Sequence, residues 1–162
     1  MLIAVLLCGG FGLFAFRNMN PADSLEDLPD KVKDFKLNNR YPPKGNVWGT
    51  ETTFVGLYSN ASKTQTILYL TTVFSDEKTA KEAFRTELYK SCKSGETPMY
   101  FSFVKSGTET SQGATCAVPL YVQKANKLIA LGGSGATVDA FIEFAENLPF
   151  NDGAAMIKKT DK

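Results

Sequence analysis

The side chains that most often carry out chemistry in proteins are sparse in this chain. It has no histidine and three cysteines, Cys8, Cys92 and Cys116. Without histidine there is no imidazole to act as a general base, to activate a nucleophile or to bind zinc, copper or haem iron. No carboxylate pair is placed for acid–base catalysis. We therefore predict a non-enzymatic protein without metal or cofactor; the alternative is an enzyme that relies on carboxylate, lysine or tyrosine chemistry.

The cysteine spacings match neither a zinc ribbon nor a Cys-x-x-Cys redox motif. Cys92 ends a predicted helix and Cys116 lies in a predicted strand. We predict that these two form a disulfide bond that closes a loop of about 25 residues, worth about 3 kcal/mol in the chain-entropy model. Such a bond indicates an oxidising, extracytoplasmic compartment. The alternative is two unrelated buried thiols in a cytoplasmic protein.

One glycine-rich stretch, LIALGGSGATVDAF, connects a predicted strand to a predicted helix. Backbone N–H groups at a helix start can hold a phosphate or carboxylate, which makes Gly133, Ser134 and Gly135 a candidate anion site. The stretch has neither the dinucleotide-binding fingerprint nor a P-loop lysine. The alternative is a tight turn in which Ser134 or Thr137 caps the helix.

The stretch RYPPKGNVWGTE, predicted to be a loop, is the candidate interface. Proline restricts the backbone, and tyrosine, tryptophan and arginine are the side chains that most often anchor protein interfaces. The candidate interface residues are Arg40, Tyr41, Pro42, Pro43, Lys44 and Trp48, the only tryptophan. The alternative is that Trp48 enters the core and the loop only caps the sheet.

Two halves with similar element order are predicted between these motifs. DFKLNNRY is a first strand, and TETTFVGLYS and TQTILYLTTVF form a hairpin through NASK. SDEKTAKEAFRTELYKSC is a helix with Ser75 as its N-cap. MYFSFVK, GATCAVPLYVQ and NKLIALGG are three further strands, and a helix from Val138 to Leu148 follows. Pro119 would place its strand at an edge or a bulge. The order β-β-β-α, repeated, predicts an α+β fold with a mainly antiparallel sheet and two packed helices.

The first sixteen residues carry no charged side chain, and Arg17 follows them. As a helix they would span about 24 Å, less than the ~30 Å of a bilayer's hydrocarbon core unless Arg17 snorkels. We predict that residues 1–20 form a transmembrane helix that contacts membrane lipid. Gly9, Gly10 and Gly12 would let a second helix approach closely. The alternatives are a cleaved signal peptide, which would make the protein secreted, and a buried core helix.

The predicted organisation is an anchor at 1–20, a linker at 21–27, an α+β domain at 28–150 and a tail at 151–162. The net charge is +1 with no basic stripe, so nucleic acid is not an expected partner. We predict a membrane-anchored, extracytoplasmic interaction domain, an accessory subunit that contacts other subunits of a membrane complex. The alternative is a small-ligand-binding module on the exposed sheet face. Lysine and arginine near the anchor favour the opposite orientation to the cysteines, so the topology stays open.

Overall fold

A computed structural model describes residues 28–44 and 52–159 of the chain. The first half contains β1 (Lys31–Val32), β2 (Phe35–Lys44), β3 (Thr52–Ser59), β4 (Thr66–Val73) and the helix α1 (Glu77–Ser91). The second half contains β5 (Met99–Lys105), β6 (Thr108–Thr115), β7 (Leu120–Lys124), β8 (Lys127–Ser134), the helix α2 (Val138–Glu146) and β9 (Ala155–Lys158).

The strands of the described ranges form one sheet in the order β1-β2-β3-β4-β8-β7-β6-β5-β9. Every neighbouring pair is antiparallel. The two halves meet where β4 pairs with β8, from Thr66 opposite Ser134 to Val73 opposite Lys127. The prediction of a mainly antiparallel α+β fold with two packed helices is confirmed. The predicted order β-β-β-α in each half was wrong, because each half has four strands before its helix and β9 follows the second helix.

The two helices lie on opposite faces of the sheet. Side chains of a strand alternate between its faces, and those of β7 separate accordingly. Leu120 and Val122 pack in the core that contains α2, whereas Tyr121 packs with Phe84 and Leu88 of α1. Each face of the sheet is therefore covered in part by one helix, and neither face is entirely without a helix.

The larger core lies on the α2 side and is rich in aromatic rings. The ring of Phe144 lies 5.0 Å from that of Tyr58 and 5.8 Å from that of Phe35, both in edge-to-face geometry. Phe101 and Phe103, side by side on β5, are fully buried in the same core. Edge-to-face pairs each add about 0.5–1.5 kcal/mol beyond the burial of their area.

Each helix begins at an N-cap residue whose side chain accepts a hydrogen bond from a free backbone N–H of the first turn. The Asp76 carboxylate accepts from the Thr79 amide at 2.8 Å, and Ser75 only donates its hydroxyl to Asp76. The cap of α1 is thus Asp76, one residue after the predicted Ser75. Thr137 accepts from the Ala140 amide at 3.2 Å and caps α2.

The predicted strand 113–123 is two strands in the structure. β6 ends at Thr115 and β7 begins at Leu120, with a turn between them that contains the cis Val118–Pro119 peptide bond. Proline cannot donate a ladder hydrogen bond, and at Pro119 none is required because the residue precedes the strand. The prediction that Pro119 lies in an edge strand or at a bulge was wrong, since Pro119 lies in the turn before β7 and β7 is a central strand.

The chain beyond Phe150, predicted to be a frayed tail, contributes to the fold as far as it is described. Asn151 is fully buried; its Oδ1 accepts from the hydroxyls of Thr110 and Ser111, both at 2.8 Å, and its Nδ2 donates to the Ala145 carbonyl. β9 then pairs with β5. The folded body therefore continues to at least Lys159.

The predicted anchor at 1–20, with Gly9, Gly10 and Gly12, and the linker at 21–27 lie outside the described residues. Within 28–44 and 52–159, neither helix has the length and apolar character needed to cross a membrane.

Candidate functional site

The most unusual surface of the described chain is an apolar area on the α1 side of β2, β3 and β4. We call it the apolar half-face. It consists of six side chains: Tyr41, Val55, Leu57, Leu68, Leu70 and Val118. The remainder of the same sheet side, formed by β6, β7 and β8, is covered by α1 through Ala114, Tyr121 and Leu128.

β3 has apolar residues at both its odd and its even positions. Since these positions point to opposite faces, the strand places apolar side chains on both faces of the sheet. Phe54 and Tyr58 are buried, Tyr58 in the α2 core, whereas Val55 and Leu57 point to the opposite face. In a strand with one solvated face, Val55 and Leu57 would ordinarily be polar. The two residues are half-buried.

β4 repeats this pattern in register with β3. Leu68 pairs with Leu57, and Leu70 pairs with Val55. Directly opposed side chains in an antiparallel pair lie close together on one face. The four aliphatic side chains thus form a continuous block, while Ile67 and Tyr69 enter the core on the other face.

Tyr41 and Val118 extend this block at its two ends. Tyr41 pairs with Val55 from β2 and is 38% exposed. Val118, in the turn before β7, is 45% exposed and leans over the bare backbone of Gly132, which pairs with Leu68. Leu68 itself is 38% exposed. Contiguous exposed apolar side chains are typical of protein–protein or ligand contact surfaces.

The predicted interface residues are divided by the structure. Tyr41 lies on the apolar half-face. Arg40 points to the other face, where its Nη2 donates to the Leu28 carbonyl at 3.2 Å and pairs with Asp30 at 2.6 Å. Pro42, Pro43 and Lys44, predicted to lie in a loop, belong to β2 instead.

The pairing of β2 with β3 shifts register between Tyr41 and Lys44, so Pro42 and Pro43 lie in an irregular part of the ladder, where proline is tolerated. Trp48 lies outside the described residues, so its predicted contact stays a prediction.

Residues of the predicted anion site make contacts within the fold. The Thr66 hydroxyl accepts from the Ser134 amide at 3.3 Å and lies 2.9 Å from the Ser134 hydroxyl. Gly135 has a φ of +70°, and a Cβ there would lie 2.2 Å from the Thr64 carbonyl oxygen. The glycine is therefore required by the close approach of the backbone before β4, and Thr137 is the residue that caps α2.

The predicted cysteine pair is brought together. Cys92 follows α1 and Cys116 lies in the turn between β6 and β7, with Cα atoms 5.3 Å apart, and the structure places their sulfur atoms as a disulfide pair. This distance is within the usual range of disulfide bonds. The pair fixes the end of α1 to the turn that carries Val118, at the margin of the apolar half-face.

The residues of the half-face on β3 and β4 were not predicted from the sequence, although the sequence contains a signal for them. A strand with one solvated face alternates apolar and polar residues, whereas FVGLY and ILYL are apolar at nearly every position. This pattern predicts a strand covered on both sides. α1 packs on β6, β7 and β8. No helix among the described elements therefore covers β2, β3 and β4 on this side of the sheet.

Burial keeps the two tyrosine phenols of the larger core, Tyr58 and Tyr69, neutral. Burial raises the pKa of the Tyr58 and Tyr69 phenols far above the ordinary value of tyrosine. Tyr58 donates its hydroxyl to the Pro29 carbonyl at 2.9 Å and so fixes the segment before β1. In the ranges 28–44 and 52–159, no group of three or more cysteine and acidic side chains could hold a metal ion.

Comparison with protein-family models, curated proteins and solved structures gives no match to this chain.

Proposed function

We propose that this chain is a non-enzymatic interaction domain that binds a partner protein through the apolar half-face. In this proposal residues 1–20 tether it to a membrane, the domain faces an oxidising extracytoplasmic compartment, and the partner is another subunit of a membrane complex. The observation that carries the proposal is the block of aliphatic side chains, Val55, Leu57, Leu68 and Leu70, on the side of the sheet where α1 does not cover β3 and β4.

The geometry favours a protein partner for this surface. The block lies on the surface of paired strands, with Leu68 exposed at its centre and Tyr41 and Val118 exposed at its two ends. Flat surfaces of this kind are better suited to another protein than to a small molecule, which is ordinarily enclosed by a concave site. Tyrosine at the margin adds a rigid side chain with a polar end.

The tether and the compartment are supported by the sequence and by the cysteine pair. A run of sixteen residues without a charged side chain precedes Arg17, and the spacing of Cys92 and Cys116 in the structure permits a disulfide bond. Disulfide bonds persist mainly outside the reducing cytoplasm. A tethered domain meets its partner within the same membrane, so a modest contact area suffices because the local concentration is high.

The test uses the full chain expressed in its native membrane and solubilised in mild detergent. Leu68→Glu places a charge in the centre of the half-face and is expected to reduce recovery of the co-purifying partner by at least about ten-fold. Ile157→Glu is the matched control, because Ile157 is 52% exposed and lies on β9 at the far edge of the sheet. Recovery should be unchanged in that variant.

Two results would count against the proposal. The first is equal recovery of the same partner with both variants, and the second is a full chain that purifies as a monomer with no partner. Since Leu68 is partly exposed, both variants should keep the free energy of unfolding in urea to within about 0.5 kcal/mol of the wild-type value. This measurement separates a lost contact from a lost fold.

A further inference from the structure

The chain enters the described fold beside the edge of the sheet that borders the apolar half-face. The Leu28 carbonyl accepts from Arg40 Nη2 at 3.2 Å, and the residue after Arg40 on β2 is Tyr41, a member of the half-face. β1 pairs only with the first two residues of β2, so β2 is the edge of the described sheet at Arg40 and Tyr41. The segment that precedes Leu28 therefore starts next to the half-face.

The segment before Leu28 is long enough to reach the centre of the half-face. Leu28 packs in the α2 core, so the chain has to pass around the edge of β2 to reach the other side of the sheet. The linker at 21–27 spans up to about 23 Å when extended. β3 and β4 lie about 5 and 10 Å from β2 at the spacing of paired strands. Residues 1–20 can thus be placed over the half-face of the same chain.

The apolar run at 1–16 matches the half-face in size. β3 and β4 have eight residues each, which makes them about 27 Å long, and the three strands from β2 to β4 are about 10 Å across. As a helix, residues 1–16 would be about 24 Å long and about 10–12 Å in diameter. On the same side of the sheet, α1 covers β6, β7 and β8 in this way.

The two surfaces also match in chemistry. None of the six side chains of the half-face is charged, and residues 1–16 contain no charged side chain. Their contact would remove apolar surface from water without the cost of burying a charge. Gly9, Gly10 and Gly12 disfavour a free helix in water, so the segment depends on lipid or on an apolar surface for a stable structure.

We propose that, before a membrane takes up residues 1–16, this segment lies on the apolar half-face of its own chain and blocks the partner site. The inference rests on the proposed function, because it makes insertion of the anchor the event that frees the half-face. Lipid surrounds an apolar helix on every side, whereas the half-face covers only one side of it, so lipid is the more favourable environment. A chain whose anchor is not inserted therefore does not bind its partner.

The test uses the full chain made by cell-free synthesis without membranes or detergent, with a photoreactive amino acid at Leu68. Irradiation is expected to give a crosslink from position 68 to a residue within 1–16, located by mass spectrometry. A mixture of isotope-labelled and unlabelled chains shows whether the crosslink lies within one chain. Addition of phosphatidylcholine vesicles should reduce its yield at least about ten-fold, because the segment moves into lipid. The same amino acid at Ile157, on β9 at the far edge of the sheet, is the control and should give no crosslink to residues 1–16.

Three results would overturn this inference: no crosslink between position 68 and residues 1–16, a crosslink only between two chains, or a yield that vesicles leave unchanged. Recovery of the partner from the native membrane is measured separately. A normal recovery together with a missing crosslink would refute the blocked state and leave the proposed function standing.

A pair of variants gives a second measurement that does not depend on crosslinking. In buffer without detergent, the wild-type chain should sediment as a monomer because its apolar segment is covered. Leu68→Glu should displace the segment and cause self-association, whereas Ile157→Glu should stay monomeric like the wild type. Self-association of the wild type, or monomeric behaviour of Leu68→Glu, would contradict the proposed contact.

Discussion

Leu57 and Leu68 oppose each other on the side of β3 and β4 that no described helix covers, where an antiparallel sheet ordinarily carries polar side chains. Keeping such side chains exposed forgoes about 25 cal/mol for each Å² of apolar surface that stays in water. The proposed function accounts for them, because a partner would remove this surface from water.

Gly113 permits the close packing of the aromatic core. A Cβ on Gly113 would lie 2.1 Å from Cε2 of Phe101, whose ring is fully buried over the glycine. We expect Gly113→Ala to destabilise the fold by about 1–3 kcal/mol, as overpacking does, measured by urea unfolding. Gly132→Ala is the matched control on β8, because only Val118 comes within 4.0 Å of a Cβ there. Equal costs for the two variants would contradict the packing at Phe101.

Glu109 makes stability depend on pH in a defined direction. The Ser102 hydroxyl and Lys159 lower the pKa of Glu109 below its ordinary value of 4.5. Because the pKa of Glu109 is lower in the folded than in the unfolded chain, its ionised form stabilises the fold. This stabilisation is present above pH 4.5 and is lost as the pH falls through the folded-state pKa. We expect Ser102→Ala to raise the pKa of Glu109 toward 4.5, measured by carbon NMR of the carboxyl group.

The same interaction predicts the behaviour of Glu109→Gln. Its stability relative to the wild type should be lowest above pH 4.5 and should approach the wild-type value as Glu109 becomes protonated. An identical titration of Glu109 in the wild type and in Ser102→Ala would show that the hydroxyl does not support the carboxylate.

At the scale of elements, the long periodic segments were predicted from the sequence and the short ones were not. Both helices and the β3–β4 hairpin follow from apolar spacing of 3.6 or 2 residues and from polar turn residues. β9 is four residues long and mostly exposed, so its sequence has little apolar pattern. Its place in the sheet depends on pairing with β5, about fifty residues earlier in the chain.

The division of GATCAVPLYVQ into β6 and β7 was missed for a related reason. The run alternates as one long strand would, and only the turn before Leu120 divides it. Similarly, the sequence shows that each helix has an apolar side but not which face of the sheet receives it. The half-face was missed because its exposure depends on α1 packing on β6, β7 and β8 and not on β3 and β4.

The pair of Cys92 and Cys116 connects two elements and should contribute to stability accordingly. Replacing both residues with serine is expected to cost about 3 kcal/mol, because the loop of about 25 residues is no longer closed in the unfolded chain. Urea unfolding of the oxidised wild type and the variant measures this difference. In the presence of a reductant the difference should largely disappear. A wild-type protein with two free thiols directly after isolation would contradict the bond.

At the scale of the whole molecule, the two sides of the sheet differ in kind. The α2 side contains the aromatic core around Phe144, with Tyr58, Phe101 and Phe103 fully buried. The α1 side carries the apolar half-face at β2, β3 and β4, and it carries a polar cleft between α1 and β5, β6 and β7. The apolar and the polar surface therefore lie at opposite ends of one side of the sheet.

Photo-crosslinking in the native membrane would show directly whether a partner protein covers the apolar half-face, with a photoreactive amino acid placed at Leu68 and, in a second variant, at Ile157. We expect one discrete protein adduct from position 68 and none of that mass from position 157. An adduct of the same yield from both positions, or crosslinks from position 68 to lipid alone, would contradict the claim that a partner protein covers the apolar half-face.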